Sequence, residues 1–136
     1  MAEPTCPFCK TPLDEHPANR CLDAWAEMLR EKLSPGDYDA HPMWAMRKVR
    51  VASEEWYCIA RFHSDIASAF GLFRILSESG AVRLSNGDGD TCDMDFLPFN
   101  GLVDVAVHIE AADYPEAITK AFIAAKEKDD AKTQAE

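Results

Sequence analysis

Residues 81–109 read AVRLSNGDGDTCDMDFLPFNGLVDVAVHI, and this stretch decides the fold. Asn86-Gly87 is the strongest hairpin signal in the chain, because a tight turn that matches the twist of its flanking strands needs the positive φ that asparagine and glycine adopt at little cost. Before it, Ala81 to Ser85 reads as a short strand. After it, Thr91 to Leu97 alternates, with Cys92, Met94 and Phe96 on one face and Asp93 and Asp95 on the other. Past Pro98 to Gly101, the segment Leu102 to Ile109 groups Val103, Val105, Val107 and Ile109 opposite Asp104 and His108. The pattern predicts an antiparallel meander that buries Leu84, Phe96, Val105 and Val107.

Helices flank the meander in sequence. Upstream, Ser64 and Asp65 suit the start of a helix that runs to about Ser79 and buries Ile66, Ala69, Phe70, Phe73 and Leu76. Gly80 is expected to end it in the left-handed conformation. Downstream, Asp113-Tyr114-Pro115-Glu116 combines a cap, a proline compatible with the first turn and a carboxylate three residues on. The helix it opens has an apolar face of Ala117, Ile118, Ala121, Phe122 and Ala125. Beyond Lys126 the charges leave no face to bury, and residues 127–136 are expected to fray. Near the start, Leu22, Trp25, Ala26, Leu29 and Leu33 recur at helical spacing from Ala18 to Leu33, and Ser34-Pro35-Gly36 stops that helix. The stretch through Asp39 and Pro42 reads as loop, and residues 44–62 read as a hairpin of Arg47 to Val51 with Trp56 to Ala60.

The 136 residues, 47% hydrophobic, suffice for one core. The organisation expected is an arm over residues 1–17, one domain over 18–126 and a charged tail. The formal net charge of -10 opposes direct binding to nucleic-acid phosphates, which gains its energy by releasing counterions to a cationic surface. No stretch approaches the ~20 apolar residues of a membrane span, and the N-terminal residues lack the apolar region of a secretory signal. Five cysteines, an odd number, then point to free thiols or metal ligands rather than disulfides. A cytoplasmic location is expected.

Three stretches resemble the phage ABA-sandwich domain family. Asn19-Arg20-Cys21-Leu22-Asp23-Ala24 is similar to the family's G-R-x-L-D-A opening. Phe62-His63-Ser64-Asp65-Ile66 resembles its tyrosine-serine-threonine-aspartate-isoleucine motif, with His63 where serine is common. Ala112-Asp113-Tyr114-Pro115 resembles the alanine-aspartate-threonine-proline entry to its last helix. The resemblance implies an α+β fold, a three-layer α/β/α sandwich with an antiparallel meander sheet and three helices, and a phage or prophage origin. It implies no activity.

One group of residues carries definite chemistry. Cys6, Cys9, His16 and Cys21 follow the spacing C-x2-C-x6-H-x4-C, similar to a zinc knuckle with a lengthened middle spacer. A C-x2-C turn lets two thiolates face one cation, and an imidazole and a third thiolate would close a tetrahedral structural site. Such a site would order a proline-rich arm that has almost no core of its own. The competing reading leaves Cys6 and Cys9 free and Cys21 in the core of the first helix.

Other clusters are weaker. Asp88, Asp90, Asp93 and Asp95 fail the calcium-loop pattern and read as a solvated hairpin tip. Cys58, His63 and Asp65, and His108 with Asp104, lack any accompanying oxyanion loop. Arg47, Lys48 and Arg50 are either charges protecting a strand edge or a patch for an anion such as a nucleotide.

The acidic composition and the family resemblance together lead to the expectation of a non-catalytic phage accessory protein that binds a host protein in the host cytoplasm and counters a defence. The alternatives are a nucleotide-sequestering protein using Arg47, Lys48 and Arg50, and a zinc-stabilised structural or regulatory subunit. Neither direct nucleic-acid contact nor membrane attachment is expected.

Overall fold

The computed structural model describes residues 4–50, 54–86, 91–99 and 106–135. They form an α+β structure with three helices and two three-stranded antiparallel sheets. Helix α1 spans Arg20–Glu31, and strands β1 (Tyr38–His41), β2 (Trp44–Arg50) and β3 (Glu54–Cys58) follow as the first sheet. Helix α2 (Ile66–Ser79) leads into β4 (Gly80–Asn86), β5 (Cys92–Pro98) and β6 (Val107–Ala111), the second sheet, and α3 spans Tyr114–Ala135. The first sheet packs on α1, α1 on α3, and α3 on β5 and β6, while α2 leans on α3 and β4.

The second sheet is the predicted meander. Its register pairs Leu84 with Met94 and Phe96 with Val107, which sets Met94, Phe96, Val107 and Ile109 on the buried face and Asp95 and His108 outside. Leu84 is only half-buried against this core. Val103, Val105 and Asp104, expected on the third strand, lie outside the described residues, as does the Asn86-Gly87 turn from Gly87 on.

Several expectations need correction. β1 occupies a stretch that reads as loop, because pairing of Tyr38 with Arg47 and His41 with Trp44 recruits a segment too short and polar to announce itself. In α2 the buried residues are Ala69, Leu72 and Leu76, whereas Ile66 and Phe70 are exposed. The helix is rotated from its most apolar arc because α3 and β4 meet it along the narrower Ala69-Leu72-Leu76 stripe. Its N-cap is Asp65 rather than Ser64. Gly80 does not end it in the left-handed region: it is extended, at φ -171°, and begins β4. Glycine is needed there for space, since a Cβ would meet the Leu97 carbonyl oxygen and the Phe96 ring at 2.5 Å. The C-terminal tail continues α3 without a break to Ala135.

The middle helix of the packing explains the polar residues inside. α1 is buried along Arg20 to Met28, with the first sheet on one side and α3 on another. Trp25 is fully buried and its indole N–H donates to Glu127 of α3 at 3.0 Å. A helix covered from more than one direction has no wholly solvent-facing side, so Arg20, Asp23 and Glu27 must find partners inside.

Candidate metal centre

The N-terminal arm is folded into a small knuckle. Cys6 N–H donates to Thr11 O at 3.0 Å and Lys10 N–H to Cys6 O at 3.0 Å, which closes the CPFCKT turn. Lys10 sits at φ 64°, the left-handed conformation that reverses the chain after the second cysteine. Leu13 N–H then returns to Pro4 O at 3.0 Å, and a single bridge joins Thr5 to Pro12. Leu13 anchors the knuckle in the core, and the 3-10 turn Leu13–Glu15 delivers His16 inward.

The result brings donor atoms of Cys6, Cys9 and His16 within 4.8 Å of one another. Cys6 and His16 are buried and Cys9 is half-buried. His16 Nδ1 lies 2.7 Å from Pro17 O, and a carbonyl only accepts, so Nδ1 carries the proton. That leaves the Nε2 lone pair facing Cys9 Sγ at 3.3 Å. A backbone carbonyl holding one imidazole nitrogen while the other faces a cation is the usual outer support of a metal-binding histidine. Thiolate sulfur and neutral imidazole are the donors that suit zinc. The cluster could hold a metal ion.

Cys21, the second residue of α1, is buried beside this group and its thiol interacts with Cys9, but it is not one of the three mutually close donors. The titration of the cluster is uneven. Burial pushes the Cys6 thiol up to about 11 and the Cys21 thiol up to about 12. Burial opposes ionisation of Cys9 too, but hydrogen bonds from the Thr11 hydroxyl and backbone, then from Cys6 and Cys21, outweigh it and hold this thiol below its ordinary value. Desolvation, with Lys120 nearby, lowers His16 and keeps it neutral, the form a metal needs. Ionisation is therefore easier at Cys9 than at Cys6 and Cys21, whose protons a bound cation would have to draw off.

The other predicted residues are dispersed. Arg47 and Lys48 point to opposite faces of β2: Arg47 lies on the side of Tyr38 and reaches Glu31 of α1 at 3.8 Å, while Lys48 pairs with Trp56 on the outward side. They do not form one anion patch, and the side chain of Arg50 lies outside the described residues. Asp93 and Asp95 point outward from β5, and Asp95 accepts from His108 at 2.6 Å, whereas Asp88 and Asp90 lie outside the described residues.

A network that the sequence reading missed joins α1 to the β3–α2 connection. Asp23, fully buried, accepts from Arg20 Nη1 at 2.5 Å, from His63 N–H at 2.8 Å and from His63 Nδ1 at 2.7 Å. Arg20 Nη2 donates to Ile59 O at 2.5 Å and contacts Cys58 Sγ at 3.4 Å. Asp65, which the sequence places beyond His63, instead caps α2 through Ala67 N–H. The missed signal was the Arg20-x-x-Asp23 spacing, which puts opposite charges on one helix face.

Compared with models of known protein families, with characterised proteins and with solved structures, the chain matches none. Among the described residues no helix is long and apolar enough to cross a membrane.

Proposed function

We propose that this chain is a non-catalytic binding protein whose N-terminal arm is fixed by a structural zinc ion. The observation that carries the reading is the convergence of Cys6, Cys9 and His16, with His16 Nε2 turned toward the sulfurs. Cys21 serves as fourth ligand after a small shift of its side chain. Four protein ligands close the coordination sphere and leave no position for a reactive water, so the ion would serve architecture. Function then falls to surfaces. The partner we favour is a basic macromolecule, which the net charge of -10 would steer into encounter. Asp93 and Glu110 stand directly opposite each other on β5 and β6, a like-charge pairing that costs stability and keeps this face acidic. The resemblance to the phage ABA-sandwich family supports a phage accessory protein acting on a host protein. Sequestration of a nucleotide draws no support from the split between Arg47 and Lys48.

Native mass spectrometry of the protein purified with its co-eluting host material tests both halves. We expect one zinc per chain and a basic protein whose capture falls steeply with added salt. A metal-free chain, or a bound nucleotide in place of a protein, would overturn the reading.

A further inference from the structure

The first sheet presents a face that its own core does not use. Directly paired residues of antiparallel strands share a face, so His41 lies beside Trp44, Asp39 beside Met46 and Cys58, and Lys48 beside Trp56. The opposite face carries the buried Tyr38, Ala45 and Ile59. Trp44 and Trp56 are 45% and 42% exposed, and Met43, at the β1–β2 turn, is 79% exposed. Tryptophan and methionine are enriched, and charges depleted, at the centres of protein interfaces.

We propose that this face binds a second copy of the chain. A formal net charge of -10 makes copies repel across most of their surface. Here, among the described side chains, the face sets one carboxylate, Asp39, against one ammonium, Lys48. Met46 occupies the middle of the grid, with Asp39 and Cys58 beside it and Trp44 and Lys48 two residues along β2. A two-fold axis lying in the interface, along a diagonal of the grid through Met46, places Met46 on its own copy. The same operation sets Asp39 against the second copy's Lys48 and His41 against the second copy's Trp56. Both charge pairs form at once, as a self-complementary two-fold interface requires. The strands of the two sheets then cross steeply, in the orthogonal manner of sheet packing. One three-stranded face lies at the small end of specific interfaces, so association in the micromolar range or weaker is expected.

Sedimentation velocity over a concentration series into the hundreds of micromolar tests this, with circular dichroism melts confirming that each variant folds. We expect a reversible monomer–dimer equilibrium that Met46→Arg abolishes. Asp39→Lys and Lys48→Asp should each weaken the dimer at least tenfold, and the double variant should recover most of the loss. Asp39→Lys exchanges -1 for +1 and moves the net charge from -10 to -8, which by itself would favour association. Its loss of dimer would therefore report the facing charges and not the overall charge. A monomer at every concentration, a dimer indifferent to Met46→Arg, or a double variant no better than the singles would each overturn the proposal.

Discussion

Single side chains inside α1 carry unusual weight. Asp23 is the hub between Arg20 and the His63 backbone and ring, and no solvent reaches it. Removing one partner of a buried, hydrogen-bonded ion pair leaves the other charge desolvated, which costs about 3–5 kcal/mol. Asp23→Ala should show a loss of that order in chemical denaturation, and a loss below about 1 kcal/mol would mean that water replaces the carboxylate. His108 is the opposite case, exposed and paired across strands with Asp95 at 2.6 Å. The hydrogen bond to Asp95, aided by nearby carboxylates, raises its pKa above the ordinary 6.5. A raised folded-state pKa means that the pair contributes fully below the unfolded value and loses that contribution as pH rises through the folded one. NMR titration should therefore place His108 above 6.5, and Asp95→Asn should bring it back down. The sequence offers the Arg20-x-x-Asp23 spacing but not the distant partners that complete either network. Asp23 and His63 are 40 residues apart, and charged residues in a helix read as a solvated face until both sides of that helix are known to be covered.

At the scale of elements, the legible parts were those with strong local chemistry. The Asp113 cap is one: its Oδ1 accepts Glu116 N–H at 3.0 Å, and Asp113→Ala should cost ~1 kcal/mol, read as a lower denaturation midpoint without change of fold. The alternation of β5 is another, since Met94 and Phe96 face inward as the period of two requires. What stayed hidden depended on partners distant in sequence. β1 became a strand only because β2 lies beside it, and α2 turned its Ala69-Leu72-Leu76 stripe, rather than Phe70, toward α3 and β4. Gly80 shows the same limit. Its identity suggested a helix stop, yet the need is for the close approach of β4 to the Leu97 carbonyl and the Phe96 ring. Gly80→Ala should accordingly destabilise by roughly 1–3 kcal/mol through overpacking, even though its backbone angles suit alanine. A thermal melt that leaves the midpoint in place would mean that β5 yields to the added methyl group.

For the whole molecule, the deciding question is how an arm with little apolar content stays attached to a core assembled elsewhere. Protein contacts supply part of the answer: Leu13 and Cys6 enter the core, and His16 packs 6.1 Å from Trp25. Phe8 adds an edge-on contact with Tyr38, ring centroids 6.2 Å apart, while the buried thiols, pushed up to about 11 and 12, are poor partners when protonated. A zinc ion would convert them to thiolates and tie the knuckle to the first turn of α1. The sequence spacing exposed this grouping because its members lie within 16 residues, a local signal like a helix cap. Binding releases thiol protons, so affinity should fall as pH drops, and chelation should go faster in acid. Loss of such an ion would leave intact the burial of Leu22 and Trp25, the sheet against α1 and the packing of α1 on α3. The domain should then stay folded with a lower melting temperature, while residues before Ala18 become sensitive to protease. Cys9→Ser should reproduce that state without chelator, because Cys9 Sγ lies 3.3 Å from His16 Nε2 and is bonded to Thr11 within the knuckle. Limited proteolysis with mass readout, run beside elemental analysis, separates the outcomes. Cleavage confined to the arm in both metal-stripped and Cys9→Ser protein supports a structural ion, whereas an arm equally protected with and without metal would show that Leu13 and His16 hold it alone.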